Sequence, residues 1–198
     1  MVIKRLFDIS FSILVIFFSL PILFIVSILV KFSSSGPIFY TADRTGLHGS
    51  IFKIIKFRTM YVGSDMGPGT TSQNDPRVTT IGKFLRKYKI DELPQFFNVL
   101  MGQMSVVGPR PELPKYTKNY TGQELLILTV KPGITDYASI HFSNLNDLVI
   151  DHDPDSYFEN HFLRQKNSLR IKYVEDQSFM LDLMIIFNTL IKLSRLNK

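Results

Sequence analysis

The sequence predicts an α+β protein that is predominantly helical, with a small β-hairpin and a hydrophobic N-terminal segment in a membrane. Three observations lead to this fold class. Residues 9–30 form an uninterrupted apolar run, residues 38–57 hold two short β-type runs around a glycine turn, and helical periodicity dominates the rest. With 198 residues, 45% of them hydrophobic and 20% charged, the chain has the size and composition of one folded domain with a small appendage.

The N-terminal run favours membrane insertion. Residues 9–30 are 22 residues without a charge, and 17 of them are Leu, Ile, Val or Phe. At roughly −0.4 kcal/mol per apolar residue, insertion gains about 7 kcal/mol, and a straight helix of this length reaches about 33 Å, enough for a hydrocarbon core. A cleaved signal peptide or a buried soluble helix would fit less well, because the run is longer than either requires.

Pro21 lies just past the middle of this run. It removes the amide that would bond to the Phe17 carbonyl, which then needs another partner, and Ser19 is one candidate. The segments on either side of Pro21 are each too short to span a bilayer. Two geometries remain open from the residues: a kinked span, which composition slightly favours, and a helix–break–helix hairpin that enters and leaves by the same face.

The elements after the membrane segment follow from short-range patterns. Ile38–Tyr40 and Ile51–Phe57 predict the two strands of the hairpin. Residues 62–76 are rich in Gly, Pro and small polar residues and predict a mobile loop. Helical patterns predict five helices, at Thr79–Lys89, Glu92–Met101, Glu112–Leu128, Phe162–Tyr173 and Ser178–Leu196.

The last predicted helix has an apolar stripe and a basic end. Phe179, Leu183 and Ile186 recur at three- and four-residue spacing, and Lys192 and Arg195 lie near the C-terminus. This pattern is typical of a core helix and equally of a helix that lies in a membrane interface. The residues alone leave both alternatives open.

The charge distribution indicates anionic partners. The net charge is +6, and the whole excess lies in residues 1–100, which hold 12 Lys and Arg against 6 Asp and Glu. Such an excess suits nucleic acid, an anionic membrane surface or a phosphorylated ligand. The absence of cysteine excludes a disulfide scaffold, a thiolate zinc site and a cysteine nucleophile. Dinucleotide-binding, P-loop and hydrolase motifs are absent as well.

The strongest candidate for chemistry is the segment Gly82–Gln95, where four cations precede Asp91 and Glu92. Its structural interpretation is a solvated basic helix followed by acidic residues that cap the next helix, with Asp91 as the cap. Its functional interpretation is a phosphate site, in which one carboxylate attacks and the other holds Mg²⁺ or handles a proton. The cations would then stabilise the oxygens of a phosphoryl group in transit.

Two further cationic groups fit a phosphate site. Lys56 and Arg58 share one face of a strand because side chains alternate along it. Arg110 lies between two prolines, which would hold its backbone stiffly and preorganise the guanidinium for bidentate phosphate binding. Ordinary surface charge is the alternative for both groups.

Taken together, the ordered motifs resemble the bacterial sugar transferase family, the small monotopic phosphoglycosyl transferases. The resemblance covers essentially the whole chain. It rests on the segments Lys4–Asp8, Gly36–Phe39, Arg44–Gly46, Lys56–Met60, Asp75–Arg77, Ile81–Arg86, Asp91–Gln95, Asn98–Pro111 and Lys131–Thr135.

The resemblance implies an activity and a set of site residues. Enzymes of this family transfer a sugar 1-phosphate from a UDP-sugar to undecaprenyl phosphate and release UMP, as the first membrane step of capsule, exopolysaccharide, O-antigen or glycoprotein glycan assembly. By the same resemblance the cofactor is Mg²⁺ and the route is ping-pong. Asp91 would be the nucleophile, and Glu92 would bind the metal with Asp91 or accept a proton. The phosphates would be held by Lys56, Arg58, Arg86 and Arg110.

The resemblance also implies a topology and a location. Residues 1–35 would form a re-entrant membrane helix broken near Ser19 and Pro21, and residues 36–198 a catalytic domain that ends in an amphipathic helix. The domain would lie on the cytoplasmic face of the bacterial inner membrane, in contact with membrane lipids and not with nucleic acid. A homodimer and downstream glycosyltransferases are open further partners. The rival hypothesis is a non-enzymatic, membrane-anchored basic module.

The sequence departs from the family pattern at three places. Leu20 stands before Pro21 where the family usually has Ser, residues 136–144 differ from the usual continuation after Thr135, and Arg170 stands where an Asp is common. The last two changes lie where contact with nucleotide or sugar is expected. They leave the expected reaction type intact, but the identity of the sugar cannot be read from the sequence.

Overall fold

The computed structural model describes residues 2–64, 75–142 and 154–195. The loop predicted at residues 62–76 lies for the most part outside these residues. The described part of the chain is mainly helical with two small sheets, in agreement with the expected fold class.

The N-terminal apolar run lies in one helix, α1 (Val2–Ser33). It is long and apolar enough to cross a membrane by length and composition, with a mean hydropathy of 3.1 and only 17% of its most apolar window buried. The helix continues through Pro21, so the expected break does not appear as an interruption of helical structure. The secondary structure of α1 therefore does not distinguish a span from a re-entrant hairpin, and the re-entrant topology stays a prediction.

Ser19 does not bond to the carbonyl that Pro21 leaves free. Its Oγ donates instead to the Ile16 carbonyl oxygen at 3.2 Å. The reason is geometric: a helical Cβ tilts toward the N-terminus, so a serine reaches the carbonyl three or four residues back and not the Phe17 carbonyl two residues back. The expectation that Ser19 serves Phe17 is wrong.

The predicted hairpin is confirmed. β1 (Phe39–Thr45) pairs antiparallel with β2 (Ile51–Phe57), from Phe39 opposite Phe57 to Thr45 opposite Ile51. A 3-10 turn at Leu47–Gly49 joins them. β1 is longer than the predicted Ile38–Tyr40, because pairing with β2 recruits polar residues that no apolar pattern marks.

Two short helices flank the central acidic pair. α2 (Thr80–Lys87) is capped by Thr79, whose hydroxyl accepts from the Gly82 amide at 2.9 Å. A 3-10 turn at Ile90–Glu92 follows, and then α3 (Gln95–Leu100). The sequence places these helices correctly, but the Asp91 carboxylate makes no side-chain cap bond and instead lies inside the turn between them.

A second, parallel sheet was not predicted. β3 (Ser105–Val107) pairs with β4 (Gly133–Thr135), and three residues each are too few for an alternation pattern to show. The two backbone segments come so close that a Cβ on Gly133 would lie 2.0 Å from the Gly108 nitrogen. Only glycine, which has no Cβ, avoids this clash. This contact brings the segment after β3 beside the segment after β4.

The helix predicted at Glu112–Leu128 is wrong. The structure has a short α4 (Pro114–Thr117) and a separate 3-10 helix at Gly122–Thr129. A capping box between Thr121 and Glu124 starts the second element, and Gly122 has a positive φ of 53°. The next helix is α5 (Tyr137–His141).

The C-terminal part is helical, with α6 (Pro154–Phe158), a π-helical turn (Glu159–Leu163), α7 (Arg164–Glu175) and α8 (Phe179–Arg195). Leu181 and Ile185 of α8 are buried in the main core, whereas its opposite face leaves large apolar side chains exposed. The final helix thus has both a core face and an uncovered apolar face. The exposed side chains are Phe179, Met180, Leu183, Met184, Phe187 and Leu190.

Both ends of α1 are fixed to the same globular body. Near the N-terminus, Lys4 Nζ donates to the Val107 carbonyl at 2.9 Å and to Asp182 Oδ2 at 2.5 Å. Near the C-terminus, Val26 and Val30 pack in a hydrophobic cluster with residues of β2 and α2. Helix α1 therefore packs on the rest of the fold at both of its ends.

Candidate active site

A left-handed residue places the acidic pair. Lys89, just before the 3-10 turn, has φ 57° and ψ 19°, which is uncommon for a residue with a side chain. It ends the path of α2 and turns the backbone so that Asp91 and Glu92 lie next to β2 and to the segment after β3. Such backbone strain is found most often at functional sites.

Glu92 is held as an anion by two cations. Its Oε1 accepts from Lys56 Nζ at 3.0 Å and from Arg110 Nη2, and its Oε2 accepts from Arg110 Nη1 at 3.1 Å. Burial alone would raise the pKa of Glu92, but the charges of Arg110 and Lys56 outweigh it and hold the pKa well below its usual value. The carboxylate is therefore ionised, and both of its oxygens are used.

Asp91 differs from Glu92 in its hydrogen bonds and in the direction of its pKa shift. It is 6% exposed, and its Oδ1 is buried without a hydrogen-bond partner within the described part of the chain. Burial and the adjacent charge of Glu92 raise the pKa of Asp91, against the opposing effect of Lys56, Lys89 and Arg86. A desolvated carboxylate with a free oxygen next to cations is a suitable nucleophile toward an anionic phosphorus centre.

Arg86 joins the site from α2. Its Nε donates to Thr59 Oγ1 at 2.8 Å, and the charge of Asp91 is the strongest force opposing the burial that lowers the pKa of Arg86. Among the described residues its terminal guanidinium nitrogens have no hydrogen-bond partner. Arg86 can thus offer two donors to an anionic ligand beside Asp91.

Arg110 reaches the site from the segment after β3. Both terminal nitrogens of its guanidinium donate hydrogen bonds to Glu92, and Nη1 also donates to the Ile134 carbonyl at 3.3 Å. The charge of Glu92 raises its pKa. Lys56, Arg86 and Arg110 are therefore the predicted cations that the structure brings to the acidic pair.

Arg58 is used elsewhere. It is 5% exposed, and its terminal nitrogens donate to the carbonyls of Ser34 at 2.7 Å and Ser35 at 2.5 Å, with a further bond to Val30 at 3.2 Å. Val30 lies in the last turn of α1, where carbonyls have no helical partner, and Ser34 and Ser35 directly follow the end of the helix. Although Arg58 was expected to hold phosphate, its guanidinium caps the C-terminal end of α1.

Sequence reasoning missed the residues behind Arg110. Asp136 accepts from the Arg110 amide, and Arg170 is fully buried and bonded to Glu112 at 2.6 Å. Asp136 and Arg170 were noted only as departures from a family pattern. A helix-capping Asp directly after a β-type run was the one local signal for a structured role of Asp136.

The site fits a metal ion that is shared with a substrate. Mg²⁺ in proteins is commonly held by one or two carboxylates together with substrate phosphates. The free Oδ1 of Asp91 fits such a role, whereas Glu92 would have to exchange a bond to Lys56 or Arg110 for a bond to the ion. In the described ranges no group of three or more His, Asp or Glu side chains could hold a metal without a substrate.

Comparison with known proteins gives a family and several relatives. The sequence profile described as "Bacterial sugar transferase" matches residues 1–195. The "UDP-glucose:undecaprenyl-phosphate glucose-1-phosphate transferase" of Klebsiella pneumoniae is 39% identical over 97% of this chain and 40% of its own length. The "Undecaprenyl-phosphate glucose phosphotransferase" of Komagataeibacter xylinus is 38% identical over 94% of this chain and 35% of its own.

A shorter relative is matched over most of its length. The "Exopolysaccharide production protein ExoY" of Rhizobium meliloti is 36% identical over 94% of this chain and 83% of its own length. The chain thus spans about two fifths or less of the two glucose phosphotransferases. The aligned range covers the positions of the acidic pair and its cations in this chain.

Proposed function

Because the chain belongs to the bacterial sugar transferase family, we propose that it transfers a sugar 1-phosphate from a UDP-sugar to undecaprenyl phosphate and releases UMP. The relatives named for this reaction align with most of this chain at 38–39% identity, but they are longer proteins, so their substrates come to this chain as part of the proposal.

The observation that carries the proposal is the contrast within the acidic pair. Glu92 is ionised and held by Lys56 and Arg110, whereas the Asp91 carboxylate is buried and keeps one oxygen free. Two adjacent carboxylates with opposite pKa shifts are typical of a site that divides labour between them. A basic surface that only binds anionic lipid would not require the two carboxylates to differ in pKa.

In the first half-reaction a carboxylate oxygen of Asp91 attacks the β-phosphorus of the UDP-sugar. A new bond forms between the aspartyl oxygen and phosphorus, and the bond from phosphorus to the oxygen that bridges to the α-phosphate breaks. The electron pair of that bond leaves with UMP. The product is an aspartyl-phosphosugar enzyme, and the unbonded Oδ1 supports this role because the carboxylate can turn toward the substrate without breaking a hydrogen bond to that atom.

In the second half-reaction a phosphate oxygen of undecaprenyl phosphate attacks the same phosphorus. The bond between Asp91 and phosphorus breaks, and its electron pair returns to the carboxylate. The product is an undecaprenyl diphosphate sugar, and the enzyme is restored. Both substrates are anionic, which suits the basic excess of the first half of the chain.

The cations divide between holding the site and holding the substrate. Lys56 and Arg110 are already bonded to Glu92, so that carboxylate is not available to attack the phosphorus in place of Asp91. Arg86 has free donors and would bind the phosphoryl oxygens as charge develops on them. Bound Mg²⁺, for which Asp91 and the substrate phosphates would supply ligands, would neutralise phosphate charge and act as a Lewis acid.

We also propose that α1 is re-entrant. A straight helix of 32 residues is about 48 Å long, so a spanning α1 would put its ends on opposite sides of a core about 30 Å thick. Yet Lys4 bonds to Val107 and Asp182, and Arg58 bonds to the carbonyls at the other end of α1. Both ends on one body support entry and exit by the same face.

The exposed apolar face of α8 supports an interfacial position for the catalytic body. Phe7 of α1 contacts Phe179 of α8 with ring centroids 5.4 Å apart, so the apolar surfaces of the two helices are continuous. This arrangement would set the acidic pair within reach of a lipid phosphate. We propose that the membrane is the bacterial inner membrane, with the site on its cytoplasmic face and in the first step of glycan assembly.

The test is UMP release from a panel of UDP-sugars by the purified protein with undecaprenyl phosphate and Mg²⁺. We expect wild-type turnover with at least one donor, loss on chelation of the metal, and near-complete loss in Asp91→Asn. Asp43→Asn is the matched control, because Asp43 is an exposed residue of the hairpin. Equal activity in both variants would overturn the proposal and favour a basic module that only binds anionic lipid.

A further inference from the structure

A buried ionic cluster lies directly behind Arg110. Its members are Glu112, Asp136, Lys166 and Arg170, and we refer to them as the rear cluster. Asp136 and Arg170 have no exposed surface, and Lys166 is 8% exposed. No step proposed above uses these residues, although burying four charges carries a large desolvation cost.

Asp136 ties the backbone of Arg110 to another element. Its Oδ2 accepts from the Arg110 amide at 3.0 Å, and its Oδ1 accepts from the Ser139 amide at 2.6 Å at the start of α5. Both carboxylate oxygens are therefore occupied by backbone donors. The backbone position of Arg110 is fixed by a side chain 26 residues away.

Arg170 lies between Glu112 and Asp136. Its Nη2 donates to Glu112 Oε1 at 2.6 Å, and its Nε lies 3.8 Å from Asp136 Oδ2. Arg170 thus contacts the residue that follows Arg110-Pro111 and approaches the residue that holds the Arg110 amide. The Arg170 guanidinium thus bonds Glu112 and pairs electrostatically with Asp136, which holds the backbone of the Pro109–Pro111 segment.

The outward side of that segment faces the reaction site. The Arg110 guanidinium donates to both oxygens of Glu92. A shift of the Arg110 backbone would weaken these bonds, and Glu92 would then compete with Asp91 for the substrate phosphorus. Bidentate pairs depend strongly on geometry, and displacement of catalytic groups by about 1 Å can cost about 100-fold in rate.

We propose that Asp136 and Arg170 are positioning residues that act through Arg110. They fix its backbone so that the guanidinium keeps both oxygens of Glu92 bonded and leaves Asp91 free to react. This role rests on the proposed function, and it concerns two fully buried residues for which only contact with nucleotide or sugar was expected.

The decisive experiment is a double-mutant cycle on kcat with the UDP-sugar donors used above. Asp136→Asn and Arg170→Gln should each lower kcat at least about tenfold with little change in KM, and Arg170→Lys should recover part of the loss. In an Arg110→Lys background Asp136→Asn should have little further effect. Lys172→Gln, an exposed cation on the same helix α7, should match the wild type throughout.

A direct probe separates this inference from the proposed function. The side-chain NMR signal of Arg110 in ¹⁵N-arginine-labelled protein, assigned by its loss in Arg110→Lys, should be protected from exchange in the wild type and lose protection in Asp136→Asn. If wild-type protein released no UMP, the proposed function would fail while this signal still tested the positioning role. Unchanged Arg110 protection in Asp136→Asn, or multiplicative losses of kcat in the cycle, would overturn the inference.

Discussion

Glu112 should make the folded protein sensitive to acid in a measurable way. Burial would raise its pKa, but the charges of Arg170 and Lys166 outweigh that effect and lower it from an ordinary 4.5 to about 2. A group with a lowered folded-state pKa stabilises the fold above its unfolded pKa, and this stabilisation is lost as pH falls from about 4.5 to about 2. The difference corresponds to about 3 kcal/mol, of which about 2 kcal/mol is lost by about pH 3.

The perturbation is Glu112→Gln, and the assay is thermal unfolding in detergent between pH 7 and pH 3. For a chain of this size about 1 kcal/mol shifts Tm by about 2–4 °C, so the wild type should lose about 4–8 °C more than the variant on acidification. The variant starts from a lower Tm at pH 7, because Arg170 loses its closest carboxylate. The comparison therefore uses the change with pH and not the absolute Tm.

Glu175→Gln provides the matched control, since Glu175 is an exposed carboxylate at the end of α7. Its Tm should fall on acidification as much as that of the wild type. The same fall in Glu112→Gln would refute the reasoning, because it would mean that Glu112 does not titrate at a lower pH in the folded protein than in the unfolded chain.

Three further predictions follow from the site and from α1. Because burial and Glu92 raise the pKa of Asp91, UMP release should fall on acidification at a higher pH than an ordinary aspartate would give, and a pH–kcat profile checks this. The chain has no native cysteine, so single cysteines can be introduced at the exposed positions Val2 and Phe32, near the two ends of α1. Both should react with an impermeant maleimide from the same side of sealed vesicles. Labelling from opposite sides would indicate that α1 spans the membrane. Arg58→Gln should lower Tm by several degrees and leave the KM for UDP-sugar unchanged. Arg86→Gln should raise that KM at nearly constant Tm. The reverse pattern would mean that Arg58, and not Arg86, binds the substrate phosphate.

The sequence predicted the parts of the fold that depend on local pattern. The apolar length of α1, the β-type run of β2 and the periodicity of α8 are local properties, and each of these elements is present. The helix predicted at Glu112–Leu128 is absent because a capping box at Thr121 and a positive φ at Gly122 begin a separate element inside that range. The parallel sheet of β3 and β4 was missed because its strands are three residues long and pair across more than 25 residues.

The candidate site shows the same limit. Asp91 and Glu92 stand out because four cations precede them, but nothing local shows that Glu92 is paired and Asp91 is free. That difference depends on Lys56 and Arg110, which lie 36 and 18 residues away from Glu92 along the chain. Arg58 shared the pattern of Lys56 and was assigned the same role, yet its neighbour in space is the end of α1.

The central claim is that Asp91 becomes covalently bound to a phosphosugar. The most direct measurement is the intact mass of purified protein after incubation with UDP-sugars and Mg²⁺ in the absence of lipid. The account predicts a mass gain of the size of a sugar phosphate with at least one donor, absent in Asp91→Asn and removed when undecaprenyl phosphate is added. UMP release that requires lipid, with no mass gain from any donor, would contradict it.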